Sequence, residues 1–311
     1  MNVTLAILGP TASGKTAFAI EIAQKLNGEI VCLDSSTVYR GLNIGTCKPT
    51  ESERSAVVHH LLDIINPDEP FSAYHFVELA EQAIVDIQSR HKMPIVVGGT
   101  YFYLRALQNG MYPNAFIAAD VLEEIERRYF EDEVFDTARM HADLAQLDPQ
   151  AAQRIHANDR YRLVRALAIA SGHQGGLSAL RPKKVSSAQH ERVWVKYAMV
   201  LSRRELGARI AKRVDAMLST GLVEEVKELV ERYPTARSLN CIGYSEAKRF
   251  IAGELTDKQL RNEIIEKTRQ FAKRQITWLK SDPQVRYVDS RDVERIVKEV
   301  GNLTYALETP P

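Results

Sequence analysis

Residues Gly9 to Thr16 read Gly-Pro-Thr-Ala-Ser-Gly-Lys-Thr and follow directly on an apolar run, Val3 to Leu8. A short buried strand, a glycine-bounded loop and a helix in this order form a phosphate-binding loop. The pair restricts the chain to folds in which a parallel strand delivers a loop to the start of a helix. Gly9 and Gly14 let the backbone curl so that successive N–H groups point inward, Lys15 adds a mobile positive charge, and Thr16 offers a hydroxyl to Mg²⁺. The whole stretch, Gly9, Pro10, Thr11, Ala12, Ser13, Gly14, Lys15 and Thr16, is the candidate diphosphate cradle. The motif leaves open which phosphate is gripped and for what chemistry.

The 311 residues, 45% of them hydrophobic, suffice for one sizeable domain plus a smaller one. There is no apolar run of about 18 residues, so no membrane span is expected. The first strand begins at Val3, which leaves no room for a signal peptide ahead of it, and a cytoplasmic protein is expected. Cys32, Cys47 and Cys241 are far apart, without the paired spacing of a disulfide framework or a zinc cluster. The net charge of +1 is neutral on nucleic acid, but its distribution is uneven. Acids cluster at Glu123, Glu124, Glu126, Glu131, Asp132 and Glu133, whereas Arg261 to Lys280 carries six Lys/Arg against Glu263 and Glu266. That basic stretch suits a contact with a phosphate backbone, and equally a solvated helix face.

Alternating patterns predict strand Val3 to Leu8, helix Gly14 to Leu26, strand Glu29 to Asp34, helix Ser72 to Ser89, strand Pro94 to Val97 and a helix from Thr100 that ends at Asn109-Gly110. From Met111 to Gly172 only helices are predicted, with Asp120 and Glu123 spaced as a capping box and Asp159 starting the helix through Ala170. His173 to His190 reads as a flexible connection, Arg192 to Val200 as a strand returning to the parent sheet, and the remainder as helical. The fold class is therefore α/β: a P-loop NTPase-like parallel sheet flanked by helices, with an inserted all-helical domain. Its boundaries are placed at 1–110 with 191–311 for the core and 111–190 for the insertion.

Three clusters fall where such a fold puts a site. Asp34 ends the second strand, where strand carboxyl ends line the binding crevice. A carboxylate there can accept a proton, cap a helix or join a Mg²⁺ shell. Gly98-Gly99-Thr100 ends another strand with two glycines and a hydroxyl, which suits close approach to a ligand and also an ordinary strand-to-helix turn. That strand lacks the Asp with which nucleotide-hydrolysing P-loop enzymes hold their metal. Arg203, Arg209 and Arg213 share one helix, and the spacing of four sets Arg209 and Arg213 on one face, as a diphosphate clamp or as plain surface charge. His59-His60 has no further ligand at metal spacing.

Further along, the sequence carries Asp34-Ser35, Val38-Tyr39-Arg40-Gly41, Ile44-Gly45-Thr46 with Lys48-Pro49, and His60-Leu-Leu-Asp-Ile64 with Pro67. It also carries Asp148-Pro149, Arg154-Ile155-His156 with Asn158-Asp159, and Arg162 with Arg165-Ala166-Leu167. The C-terminal half adds Arg209-Ile210 with Arg213, Met217-Leu218, Gly221-Leu222 with Glu225-Val226, Gly243-Tyr244, and Thr268-Arg269 running on to Ala272-Lys-Arg-Gln-Ile-Thr-Trp278. With the P-loop, this ordered set resembles the tRNA dimethylallyltransferases, also called tRNA isopentenyltransferases, over nearly the whole chain.

The resemblance implies transfer of a dimethylallyl group from dimethylallyl diphosphate to N6 of the adenosine 3′ of a tRNA anticodon, position 37, with Mg²⁺ as cofactor and diphosphate released. It implies Asp34 as the base that takes the N6 proton, Thr100 and Thr11 at the donor, and Lys15 and Arg213 against the leaving group. Asp34, Ser35, Ser36 and Thr37 would read the flipped adenine. Arg162 and Arg165 of the insertion, Gly243 and Tyr244, and Lys273, Arg274, Gln275 and Trp278 would hold the rest of the RNA. A bacterial-type enzyme acting as a monomer is expected.

The chain departs from the family pattern at Thr37, where many members carry Gln, at Ala168, where they carry Glu, and at Leu122 to Glu124, where they carry an Arg. Cys47 stands in place of an alanine. A small-molecule kinase also joins a P-loop to an Asp after the second strand, so Asp34 alone leaves phosphoryl transfer from ATP open. The basic-aromatic stretch Arg269 to Trp278 speaks against that alternative. An RNA-binding protein with a relict loop is a further one, opposed by the intact Lys15, Thr16 and Asp34.

Overall fold

A computed structural model describes residues 3–110, 117, 119–131, 134–172, 176–180 and 192–308. They form two compact units, Met1–Arg105 with Ser186–Pro311, and Ala106–Val185. Most of the 173–190 connection, and Asp132 and Glu133 of the acidic cluster, lie outside the described residues.

The first unit begins with β1 (Val3–Leu8), α1 (Lys15–Lys25), β2 (Gly28–Leu33), α2 (Glu51–Ala56), β3 (His59–His60), α3 (Ala73–Ser89), β4 (Met93–Gly98) and α4 (Tyr101–Asn109), the last running on into the second unit. β1 and β4 are buried at every residue. Helices on both sheet faces leave no polar side to a central parallel strand, so it reads as an unbroken apolar run rather than an alternating one. Ser72 starts α3 by accepting the N–H of His75, and Thr50 and Glu53 close a capping box on α2.

The second unit contains α5 (Ala119–Arg128), β5 (Phe130–Glu131), β6 (Val134–Phe135), α6 (Thr137–Leu147), α7 (Pro149–Arg154), α8 (Arg160–Gly172) and α9 (Gly176–Ala179). The β5–β6 pair is antiparallel, which corrects the expectation of helices alone. Asp120 lies inside the first turn of α5 instead of capping it. Asp159 does start α8, its Oδ1 accepting the N–H of Arg162 at 3.2 Å. Asp148 caps α7 through Ala151 N–H (3.0 Å) and receives Ser178 N–H from α9 (2.8 Å). Ala168 is buried in this unit's core and Leu122 packs against it, so two of the departures from the family pattern serve packing.

The chain then returns to the first unit through β7 (Val193–Met199), α10 (Arg203–Ser219), α11 (Leu222–Arg232), α12 (Tyr244–Ile251), α13 (Asp257–Lys280), β8 (Val285–Val288) and α14 (Val293–Glu308). β7 pairs with β1 as expected, whereas β8, within a stretch expected to be helical, adds a sixth strand. All pairings in the sheet β3-β2-β4-β1-β7-β8 are parallel. β8 has only four residues, buried at its two ends, too brief a pattern to separate from a helix turn by periodicity. Two apolar clusters result. One is sandwiched between the sheet, α1 and α14, and the other joins α10 to α13. Among the described residues no helix is long and apolar enough to cross a membrane.

Candidate active site

The carboxyl ends of β1, β2 and β4 open into one cavity of about 360 Å³. Thr11, Lys15 and Thr16 line it from the phosphate loop, Asp34 to Thr37 from the end of β2, Gly98 and Gly99 from the end of β4, and Arg213 from α10. This is the crevice that an open parallel sheet leaves beyond its strands.

In the phosphate loop Ala12 is held at φ 62° and Gly14 at φ 91°, and Ser13 N–H reaches back to the Pro10 carbonyl at 3.2 Å. Left-handed backbone at these alternate positions turns the N–H groups toward a common centre at the N-terminus of α1. Lys15 Nζ donates to the Pro10 carbonyl at 3.2 Å. Desolvation of this ammonium, reinforced by repulsion from Arg213 and opposed by Asp34, lowers its pKa to about 8. At neutral pH Lys15 is charged and poorly solvated, which favours an incoming anion.

Asp34 Oδ1 accepts the N–H groups of Ser36 (2.8 Å) and Thr37 (3.4 Å). The carboxylate is therefore both a turn former and a wall of the cavity. Gly98 is required by contact, since a Cβ there would lie 2.0 Å from the Leu33 carbonyl oxygen. Thr100 is half-buried, and its carbonyl accepts Tyr103 N–H at 2.9 Å to begin α4, beside a cavity wall that ends at Gly99. Arg209 and Arg213 both face the loop region, Arg209 donating to the Ser13 carbonyl (3.3 Å) and Arg213 to the Thr46 carbonyl (3.2 Å). They also border a second depression with Gly14, Lys15, Thr16 and Lys212.

The residues assigned to RNA divide by burial. Ser35 and the α13 side chains Lys273, Arg274 and Trp278 are exposed, with Arg274 over the Phe271 ring (5.8 Å) and Trp278 stacked on Tyr101 (6.1 Å). In the second unit Arg162 is exposed on α8 and Arg165 lies over the Tyr161 ring at 5.9 Å. Four of the assigned residues are buried, which does not suit a surface contact. Gly243 and Tyr244 are buried, Gly243 N–H donating to Glu246 (2.7 Å) and the Tyr244 hydroxyl to Glu225 (2.5 Å). Gln275 is buried too, its Oε1 accepting Thr11 N–H (2.9 Å) and its Nε2 donating to the Gly99 carbonyl (3.1 Å). It braces the phosphate loop against the end of β4. Thr37 is buried as well, and its hydroxyl has no partner among the described residues. Sequence reasoning assigned no site role to Asn240, Cys241 or Phe271, which also line the cavity, nor to Thr268, which entered only as part of a family motif.

Comparison with known proteins supplies the family. The family model described as IPP transferase matches residues 37–282. A tRNA dimethylallyltransferase of Staphylococcus aureus (strain bovine RF122 / ET3-1) is 40% identical over 289 residues, 92% of either chain. One from Syntrophobacter fumaroxidans is 40% identical over 309 residues, 96% of this chain and 87% of the relative. The solved full-length tRNA isopentenylpyrophosphate transferase of Bacillus halodurans superposes with a TM-score of 0.70 at 32% identity, covering 97% of this chain and 96% of that one. A eukaryotic dimethylallyltransferase, captured acting on tRNA, gives 0.73 at 25% identity over 99% of this chain and 79% of its own. With the family model spanning most of the chain and relatives matched nearly end to end, the chain belongs to the IPP transferase family, the tRNA dimethylallyltransferases.

Proposed function

We propose that this protein transfers the dimethylallyl group of dimethylallyl diphosphate to N6 of the adenosine at tRNA position 37, 3′ of the anticodon, acting as a cytoplasmic monomer. The observation that carries this reading is the meeting of Asp34 with Lys15, Thr16 and Arg213 around one cavity. An acceptor of protons and a cluster of cations on opposite sides of a reacting carbon are what alkyl transfer to an amine needs. The N6–C1 bond forms as the C1–O bond to diphosphate breaks, and the N6 proton passes to the Asp34 carboxylate. The amine lone pair is delocalised into the purine, so removing its proton as the bond forms lowers the barrier. Lys15 and Arg213 neutralise the charge that grows on the departing diphosphate. Thr11 and Thr100 would reach the donor's oxygens. Ser35, Ser36 and Thr37, continuous with Asp34, suit an adenine taken out of its stack, and the exposed Lys273, Arg274, Trp278, Arg162 and Arg165 suit RNA backbone and splayed bases.

Mg²⁺ fits the donor chemistry. The Thr16 hydroxyl at the start of α1 would supply one hard oxygen ligand and the diphosphate itself the others. When bound, the ion supplies further charge neutralisation to the leaving diphosphate. The test is incubation of the pure protein with Mg²⁺, unmodified tRNA and radiolabelled dimethylallyl diphosphate, followed by counting acid-precipitable label. Label in RNA that disappears with Asp34→Ala is the expected result. No transfer, with ATP's terminal phosphate delivered to a small acceptor instead, overturns the reading in favour of a kinase.

A further inference from the structure

We infer that Glu225 is a positioning residue that sets Arg213 in place through the intervening loop 43–47. The inference rests on the proposed diphosphate role of Arg213. Glu225 stands in the first turn of α11, and its carboxylate collects three consecutive backbone donors. Oε2 accepts Asn43 N–H (3.1 Å) and Ile44 N–H (2.8 Å), while Oε1 accepts Gly45 N–H (3.3 Å). The Tyr244 hydroxyl closes the set at 2.5 Å, and its ring lies so near Gly45 that a Cβ there would come within 2.2 Å of it. Hydrogen bonds to an ionised acceptor are about twice as strong as neutral ones, so one side chain fixes the path of three residues. On the other side Lys48 ties the loop down through the Tyr39 carbonyl and Asp63, each at 2.5 Å.

The first carbonyl beyond this clamp, that of Thr46, accepts Arg213 Nη2 at 3.2 Å. Arg213 is thus oriented by a neutral carbonyl and keeps its charge for an anion in the cavity. Arg209, one turn earlier on the same helix, is instead paired with Glu205 at 3.0 Å. The negative charge that organises this wall sits behind the loop, on Glu225, where it is consumed by N–H donors. Losing it would free the Thr46 carbonyl to move and let the guanidinium swing away from the phosphate loop.

The experiment is a double-mutant cycle read by calorimetric binding of inorganic diphosphate with Mg²⁺, with tRNA binding as a control. Glu225→Ala is expected to weaken diphosphate about tenfold in the parent and by much less in the Arg213→Ala background, a coupling of the size found for groups that act through one another. Tyr244→Phe is expected to lose a fraction of that affinity, Glu225→Gln, which keeps one acceptor oxygen, to recover part of it, and tRNA affinity to hold. Equal losses in both backgrounds, or parallel losses of diphosphate and tRNA binding, overturn the inference and leave Glu225 a structural residue. If Arg213→Ala itself leaves diphosphate binding unchanged, the proposed role of Arg213 fails, and the inference fails with it. Should Glu225→Ala not fold by thermal melt, Glu225→Gln and Tyr244→Phe carry the same cycle.

Discussion

The side chain of Gln275 accepts the backbone N–H of Thr11 at 2.9 Å although 264 positions separate them in the chain. Its amide nitrogen donates to the Gly99 carbonyl at 3.1 Å, so one buried amide joins α13, the phosphate loop and the end of β4. The basic helix reaches the cavity from inside as well as presenting Lys273 and Arg274 outward.

Gln275→Ala should lower stability by about 2 kcal/mol, because a donor and an acceptor in the cavity wall lose their partner. It should raise KM for the donor more than KM for tRNA. Gln275→Glu should bind donor worse still, since it places a carboxylate against the Gly99 carbonyl and beside the phosphates. Denaturant melts and separate KM determinations check both. A loss confined to tRNA affinity would return Gln275 to an RNA contact.

Asp34→Asn separates the turn-forming role of this residue from the proposed proton-accepting one. The amide oxygen can still accept Ser36 N–H, now at 2.8 Å, so the turn should persist and the melting temperature should hold. Turnover should nevertheless fall roughly 10² to 10⁴-fold for want of a proton acceptor. Near-parental turnover in single-turnover kinetics would reduce Asp34 to a turn former.

The pKa of about 8 at Lys15 predicts an alkaline limb in kcat/KM for the donor. Protonated Lys15 attracts the diphosphate, so the rate should decline as pH rises through about 8 in the free protein. Arg213 repulsion is one cause of the lowered value. Arg213→Ala should therefore shift the limb to higher pH even as it lowers the plateau, and a pH profile in which the limb stays put contradicts this account.

Glu29, at the start of β2, is buried and receives Lys92 and His60 at 2.7 Å each, together with both terminal nitrogens of Arg90. Hydrogen bonds from Arg90, with those from Lys92 and His60, hold its carboxyl well below the usual carboxylate range. A depressed folded-state pKa contributes stability that is complete above the unfolded value of about 4.3 and is lost as pH falls toward the folded one. Glu29→Gln should cost about 2 kcal/mol at pH 7, where the solvent-accessible Arg90 and Lys92 lose a buried carboxylate acceptor, and progressively less below about pH 4. Urea unfolding at the two pH values measures the difference.

The parallel sheet, the phosphate loop and Asp34 at its strand end were legible because each is written in contiguous residues. Val3 to Leu8 is an unbroken apolar run, Gly14 supplies the left-handed turn before α1, and Asp34 follows directly on the apolar Ile30 to Leu33. Family resemblance then added roles that no spacing alone implies. The short elements were not legible, because β5, β6 and β8 are two to four residues long and carry no period that could be told from a helix turn.

By itself the sequence determined the class of fold, the anion-binding loop and the family, since backbone conformations of this kind are set by neighbouring residues. Only the tertiary structure decided which polar side chains face inward. Glu225, Tyr244 and Gln275 lie on helices most of whose charges are solvated, the buried Glu246 of α12 excepted, and in sequence they look like those neighbours. Burial separates Tyr244 and Gln275, and three backbone donors separate the half-buried Glu225. A carboxylate or amide shielded from water must be answered by donors and acceptors from distant segments, and those segments meet only when the sheet and its helices have closed.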